Sequence, residues 1–428
     1  MALVNKLDGF LVLDAEKTPS KILLDRFQAP PNFGNSLLRS TLIFGTRGSG
    51  KTMLLTWLRH SEKNDKSIRL YGDLRKITNP VSSDTGLGSL SYEGINPDLE
   101  LCARAKTIAC FAIWFARECK RRAGVIVPDY EFRQVLPRKL RNKDSYDLSE
   151  LSNELYYTGL EEFKQGPNIE ALLDLFSEVH ENYSEEGLYL YLDRAEEAPY
   201  PSLGVILDLL DQAHCFTVMV AARPGLINMK SATSRLPAPG DHYTVLHHGV
   251  TPYADEWRFF MTEILKSWLP KTYSIIPDDY RSLISMLARD SIRSGLRIIH
   301  GSVDKNGRFS EACFMDSLQN LQENLLSAAQ GFLGEYNRDI KGFLRDIRKD
   351  MGAVVKFPLG IKPSSPERLM LVQTERNFEE LSKEEKFLYK ALYTGLLTTI
   401  NDEQWHPNKT YYHFEVNPLL VWQKGDLW

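Results

Sequence analysis

The chain has 428 residues, which at about 150 residues per domain corresponds to two or three domains with a large buried core. Its 52 basic and 56 acidic side chains leave a formal charge of −4, and 43% of its residues are hydrophobic. These ordinary globular values exclude a fibrous chain or a small peptide, and they give no argument for nucleic-acid binding. Five cysteines without a C-x-x-C pair, and the lack of any apolar run of about 18 residues, predict a soluble cytoplasmic protein with no membrane partner.

Apolar segments alternate with helical patterns through the first 250 residues. The first predicted strand, 41–44, leads into a glycine-containing loop and then a helical pattern over 51–59. Further strands are predicted at 68–71, 188–192, 216–222 and 243–246. Helices are predicted at 99–122, 148–163, 169–183 and 203–213. This alternation predicts an α/β fold with a parallel sheet flanked by helices.

The rest of the chain predicts two more units. Residues 1–250 form the predicted sheet domain, with a helical insertion at about 74–165 that carries a basic run over 138–143. A mainly helical block follows over 251–360, with helices at 253–269, 278–288, 296–303 and 310–331. After a Pro-containing linker at 360–366, a C-terminal unit over 361–428 combines a helix at 382–397 with a strand at 411–416. That combination predicts a winged helix.

The most specific motif is the loop after the first strand, a complete G-x-x-x-x-G-K-[ST] pattern between a strand and a helix. Its glycines allow backbone N–H groups to turn inward around phosphates, and the helix N-terminus adds a favourable dipole field. We expect Lys51 to reach the β- and γ-phosphates of ATP and the Thr52 hydroxyl to bind Mg²⁺. The candidate nucleotide-binding residues are Gly45, Thr46, Arg47, Gly48, Ser49, Gly50, Lys51, Thr52 and Met53.

A second acidic position is needed near the metal, and the apolar strand at 188–192 ends on Asp193. We therefore expect Asp193 to be the second metal residue. The next position, where a water-orienting glutamate is expected, is Arg194. Glu196 and Glu197 follow, and we favour Glu196 as the catalytic acid while leaving Glu197 open.

Two arginines are candidate phosphate-sensing residues. Arg223 ends the fourth strand, at the edge of the sheet where a nucleotide would lie, and Arg297 lies in the helical block, from which it could reach over the nucleotide. A solvent-facing arginine at a strand end and a salt bridge inside the helical block are the competing interpretations. The histidines lack metal-ligand spacing, and three cysteines in one apolar helix indicate packing.

The loop motif, the distant Leu-Tyr-Leu-Asp193 segment and the helical block resemble the AAA+ ATPases of the origin-recognition-complex group, particularly bacterial members associated with anti-phage defence. This resemblance implies a P-loop sheet ordered 5-1-4-3-2, a helical lid and a C-terminal winged helix. It also implies phosphate and magnesium roles for Lys51 and Thr52, the Walker B role for Asp193 and a lid-sensor role for Arg297. The chain also resembles the STAND signalling ATPases in one feature, the arginine at the end of the fourth strand, Arg223.

Three functions remain open at this point. The first is an ATP-dependent switch that binds Mg-ATP, hydrolyses it slowly and thereby controls assembly into homo-oligomers and with a protein effector. The second is a DNA-binding initiator or loader that uses the winged helix and the basic run. The third is a non-hydrolysing, nucleotide-bound scaffold for an effector such as a nuclease.

Overall fold

A five-stranded parallel sheet lies at the centre of the computed structural model. The strands are β1 (Thr41–Phe44), β2 (Ile68–Asp73), β3 (Leu188–Asp193), β4 (Thr217–Ala222) and β5 (Thr244–His247). Their order across the sheet is β5-β1-β4-β3-β2, which is the order implied by the family resemblance. Because every strand pair is parallel, all five carboxyl ends lie along one edge, and β1 delivers the glycine-containing loop to that edge between the ends of β5 and β4.

The structure describes residues 20–28, 39–45, 48–60, 66–81, 97–141, 147–223, 244–247, 255–288, 291–333, 368–372, 394–400, 411–417 and 419. The helices of the sheet domain are α1 (Ser20–Arg26), α2 (Lys51–His60), α3 (Leu74–Ile77), α4 (Pro97–Ala123), α5 (Asp129–Gln134), α6 (Arg138–Arg141), α7 (Leu148–Tyr157), α8 (Ile169–Tyr183) and α9 (Tyr200–Gln212). Short 3₁₀ helices occur at Leu160–Phe163 and Ala195–Glu197. No helix in these ranges is long and apolar enough to cross a bilayer.

The two faces of the sheet have separate hydrophobic cores because successive strand residues point to opposite sides. On one face, Leu190, Leu192 and Val218 pack with α4, α8 and α9. On the other face, Tyr191 and Met219 pack against α2. A large apolar core on both faces explains why these strands are continuous hydrophobic runs rather than alternating sequences.

The predicted insertion after β2 shares the core of the sheet. Its long helix α4 lies against β2, and a Cβ placed on Gly72 would lie 2.8 Å from the Trp114 ring. Glycine is therefore required at position 72 for this close approach. The insertion residues described between β2 and β3 form helices and no strand, as the sequence predicts.

A helical block follows the sheet: α10 (Asp255–Trp268), α11 (Pro270–Ile275), α12 (Asp278–Ala288), α13 (Ile292–Gly301) and α14 (Glu311–Leu333). Its core includes Met261, Leu265 and Phe314. It also includes Met53 of α2, whereas the next residue, Leu54, packs in the core of the sheet. Helix α2 therefore contributes side chains to both units.

The described C-terminal segments form a three-stranded antiparallel sheet in the order β6-β8-β7. The strands are β6 (Arg368–Val372), β7 (Leu397–Ile400) and β8 (Tyr411–Val416). The predicted strand at 411–416 is confirmed. The predicted linker and most of the predicted helix at 382–397 lie outside the described residues.

The helix predicted over 203–213 begins three residues earlier, at Tyr200. Three other predicted boundaries are wrong for identifiable reasons. The helix predicted over 148–163 ends at Tyr157, because Thr158 and Gly159 are extended and the buried ammonium of Lys106 binds the Thr158 carbonyl at 2.7 Å. The helix predicted from residue 296 begins at Ile292, because the Ser291 hydroxyl accepts the Ser294 N–H at 3.2 Å and caps it. Residue 397 begins β7 instead of ending a helix, because it pairs with Val416.

Candidate functional site

The glycine loop begins at the end of β1 and leads into α2. The Gly45 N–H donates to the Ala222 carbonyl at 3.2 Å, which ties the start of the loop to the end of β4. Gly48 and Gly50 have φ values of +92° and +101°, which side-chain-bearing residues rarely adopt. Thr46 and Arg47, also predicted to bind nucleotide, lie outside the described residues.

Two side chains of the described part of the loop motif, Ser49 and Lys51, are buried. Lys51 is buried, and its ammonium donates to the Gly45 carbonyl at 2.5 Å, so the charge lies across the mouth of the loop. The Ser49 side chain is 0% exposed, and its hydroxyl has no hydrogen-bond partner among the described residues. A buried hydroxyl without a partner is costly unless a ligand satisfies it.

Asp193 is the point where three elements meet. The hydroxyl of Thr52, from the start of α2, donates to Asp193 Oδ2 at 2.6 Å. The phenol of Tyr71, from β2, donates to the same oxygen at 2.9 Å, and Oδ1 accepts the N–H of Arg194 at 2.9 Å. The carboxylate is 2% exposed, so these donors hold it in a fixed orientation.

Opposing effects act on the Asp193 carboxyl. Burial raises its pKa above the usual value, and the nearby Glu196 charge acts in the same direction. The hydrogen bonds from Thr52 and Tyr71 and the charge of Lys51 lower the pKa. A cation bound beside this group would favour its ionised form.

The residue after Asp193 explains how a later glutamate reaches the site. Arg194 has φ 64° and ψ 43°, and it is the one non-glycine residue with positive φ in the described ranges. This left-handed residue turns the chain into a 3₁₀ helix that buries Glu196 beside the strand ends, with 6% exposure. Glu196 Oε1 accepts a hydrogen bond from Arg223 Nε at 3.1 Å.

Glu197 faces a different set of charges. Its carboxylate lies 3.5 Å from an Arg75 nitrogen and 3.8 Å from an Arg194 nitrogen, and it is about one-third exposed. Arg75 also pairs at 3.1 Å with Asp73, which stands beside Asp193 in the register of β2 and β3. Of the two glutamates, Glu196 is therefore the one placed beside Asp193 and Arg223.

The helical block contacts the loop through the first turn of α13. The Arg293 N–H donates to the Gly48 carbonyl at 3.1 Å, and a Cβ on Gly48 would lie 2.7 Å from the Ser291 hydroxyl. Arg297, the predicted lid arginine, is exposed one turn further along α13. It lines a cavity of about 710 Å³ together with Ser317 and Asn320 of α14.

The sequence analysis also considered a basic run, the histidines and three cysteines, and most of these residues make structural contacts. In the basic run, Arg138 and Lys139 are exposed, whereas the Arg141 guanidinium donates to the carbonyls of Gln134 and Leu136. His60 bonds the Thr56 carbonyl at 2.7 Å, and burial lowers its pKa. The three cysteines of α4, Cys102, Cys110 and Cys119, are buried in the core of the sheet.

The residues present fit a magnesium–nucleotide group. The loop offers the buried Ser49 hydroxyl, and Lys51 supplies a positive charge. Thr52 and Asp193 supply a hydroxyl and a carboxylate, which are the oxygen ligands that Mg²⁺ prefers. The chemistry of the set is therefore compatible with a bound phosphate group and a bound Mg²⁺ ion.

Sequence reasoning did not single out Tyr71, Asp73, Ser291 or Arg293. A usable signal exists for the first two, because the end of β2 must share an edge with the end of β3 in a parallel sheet. The contact of α13 with the loop depends on packing between distant segments and has no such local signal.

Comparisons with known proteins add no assignment to this geometry. No protein-family model matches the sequence, and a search of curated proteins finds no match.

Proposed function

We propose that the protein is a P-loop ATPase of the AAA+ type that acts as a nucleotide-dependent switch. The observation that supports this most directly is the 2.6 Å hydrogen bond between Thr52 and Asp193, residues 141 positions apart in the chain. It joins the end of the loop motif to the end of β3, which is separated from β1 by β4 in the parallel sheet. The strand order supports the same proposal, because β1, which leads into the loop, lies between β4 and β5.

In this proposal the loop N–H groups and Lys51 bind the phosphates of ATP. Thr52 and Asp193 hold magnesium, Thr52 through its hydroxyl and Asp193 through its carboxylate. Bound magnesium would neutralise charge on the β- and γ-phosphates and so favour phosphoryl transfer.

Glu196 is the proposed general base that accepts a proton from the attacking water. The 3.1 Å ion pair places the Arg223 guanidinium beside this base, and Arg223 is the proposed cationic partner of the γ-phosphate. While Arg223 holds the carboxylate, Glu196 is less available to water, and for this reason we expect slow turnover. Release of phosphate would return Arg223 to Glu196.

The first turn of α13 is the proposed route from nucleotide to assembly. Because Arg293 bonds the Gly48 carbonyl, a change of loop conformation must alter this contact with the helical block. The surface presented to a protein effector or to another copy of the chain would then depend on the bound nucleotide. The winged-helix assignment of the C-terminal unit belongs to this proposal as well.

The deciding experiment combines identification and titration of nucleotide. The purified chain is denatured and any released nucleotide is identified by mass spectrometry, and ATP binding is measured by calorimetry for the wild type, Lys51→Ala and Lys66→Ala. We expect Lys51→Ala to abolish binding with an unchanged circular dichroism spectrum. Lys66, an exposed lysine paired with Glu185, is the matched control and should bind normally. Undiminished affinity in Lys51→Ala would overturn the assignment of the loop.

Phosphate release, measured with and without duplex DNA, separates the alternatives. Slow release that DNA does not change supports the switch. Strong stimulation by DNA supports an initiator or loader, and no release with tightly bound nucleotide supports a permanent scaffold.

A further inference from the structure

Tyr71 contributes a hydrogen bond that the loop motif does not require. It lies in β2, two residues before the strand ends, and its phenol donates to Asp193 Oδ2 at 2.9 Å. The same oxygen accepts the Thr52 hydroxyl at 2.6 Å. Two hydroxyl donors from different elements therefore converge on one carboxylate oxygen.

This geometry restricts how the carboxylate can rotate. Asp193 Oδ1 is held by the backbone N–H of Arg194, and Oδ2 is held by both hydroxyls. If the Thr52 oxygen served as a metal ligand, its hydroxyl would no longer hold Asp193 Oδ2 in the same direction. Tyr71 is then the side-chain donor that still fixes Oδ2, because its ring is anchored in the core packed against α2.

We propose that Tyr71 is a positioning residue for Asp193 and that its phenol sets how strongly the nucleotide site responds to magnesium. This inference rests on the proposed function and deepens it. Tyr71 acts through the carboxylate and has no assigned contact with nucleotide. Its removal should therefore weaken the effect of magnesium without weakening the binding of metal-free nucleotide.

Tyr189 provides a matched control in the same layer of side chains. It lies in β3, its ring is stacked with Tyr191 at 6.5 Å, and it packs against the same core as Tyr71. Tyr189→Phe thus removes a phenol from the same face of the sheet but from a ring that has no hydrogen bond to Asp193 among the described contacts.

The experiment measures ATP affinity by calorimetry in excess Mg²⁺ and in excess EDTA for the wild type, Tyr71→Phe and Tyr189→Phe. The ratio of the two affinities is the magnesium effect. We expect it to fall about tenfold in Tyr71→Phe, the size of one hydrogen bond to a charged group, and to stay at the wild-type value in Tyr189→Phe. The affinity in EDTA should be equal in all three proteins.

Three outcomes would overturn the role of Tyr71 alone: an unchanged magnesium effect in Tyr71→Phe, an equal loss in both variants, or a loss of affinity in EDTA that matches the loss in Mg²⁺. A wild type that binds no nucleotide, or binds it without any effect of magnesium, overturns the proposed function and this role together. The wild-type titration therefore distinguishes a failure of the proposed function from a failure of the Tyr71 role alone.

Discussion

The guanidinium of Arg223 and the carboxylate of Glu196 form a partly buried ion pair, with Nε and Oε1 separated by 3.1 Å and side-chain exposures of 16% and 8%. The two residues follow adjacent strands of the sheet, β4 and β3, at the edge where the glycine loop lies. The pair links the candidate base to a strand-end arginine.

Replacing Glu196 by Gln should preserve ATP binding and slow phosphate release by about 100-fold, because the amide cannot accept the proton of the attacking water. Binding is measured by calorimetry and release by a phosphate sensor. Glu197→Gln is the control, since Glu197 pairs with Arg75 and Arg194 on the outer side. A normal rate in Glu196→Gln with a slow rate in Glu197→Gln would transfer the role to Glu197.

Replacing Gly48 by Ala should destabilise the protein by more than about 2 kcal/mol. The left-handed backbone alone costs about 1–2 kcal/mol for a side-chain-bearing residue, and the added Cβ would lie 2.7 Å from the Ser291 hydroxyl and 2.9 Å from the Arg293 Cβ. The free energy of unfolding in urea is the measurement.

Gly124→Ala is the control for that experiment. Gly124 has φ +69°, but a Cβ there meets no atom within 4 Å, so only the backbone cost of about 1–2 kcal/mol remains. Equal losses of stability in the two variants would show that the start of α13 does not lie against Gly48 in solution.

The left-handed backbone of Arg194 predicts a difference between two substitutions. Arg194→Gly can adopt φ 64° without strain, whereas Arg194→Val places a β-branched residue there and should be less stable by about 1–2 kcal/mol. Both variants lose the same partly exposed contact with Glu197 at 3.8 Å, which therefore cancels in the comparison. Chemical unfolding of the two proteins gives the difference, and equal stabilities would contradict the turn described after Asp193.

The sequence was sufficient to predict the parallel sheet and the strand-end position of Asp193, because each depended on a local pattern. The strand at 41–44, the loop motif and the apolar run ending at Asp193 are all recognisable over a few residues. The helix predicted through Gly159 failed because a distant group, the ammonium of Lys106, stabilises its earlier end. Tyr71 and Arg293 were missed for the same reason, since each acts through a contact with a segment far away in sequence.

Cys119 gives a prediction about alkaline pH. Burial in α4, together with the Glu118 charge, raises the pKa of this thiol from 9.0 to about 12. Between these two values the unfolded chain loses the proton and the folded protein keeps it, so stability should fall as pH rises. The expected slope from this group approaches about 1.4 kcal/mol per pH unit.

The test compares urea unfolding at pH 8 and pH 10.5 for the wild type, Cys119→Ala and Cys215→Ala. Cys119→Ala should lose less stability over this interval than the wild type, whereas Cys215→Ala, which removes an exposed thiol, should follow the wild type. Identical pH dependence in all three proteins would mean that the Cys119 thiol ionises as easily when folded as when unfolded.

The packing of helix α2 affects how cooperatively the protein unfolds. Its neighbouring residues Met53 and Leu54 are embedded in different cores, that of the helical block and that of the sheet. Loss of packing in the helical block would expose Met53 on a helix that also packs against the sheet, so α2 couples the two cores. Heating should therefore produce one calorimetric peak for both units, and a ligand that tightens the loop should shift that whole peak to higher temperature.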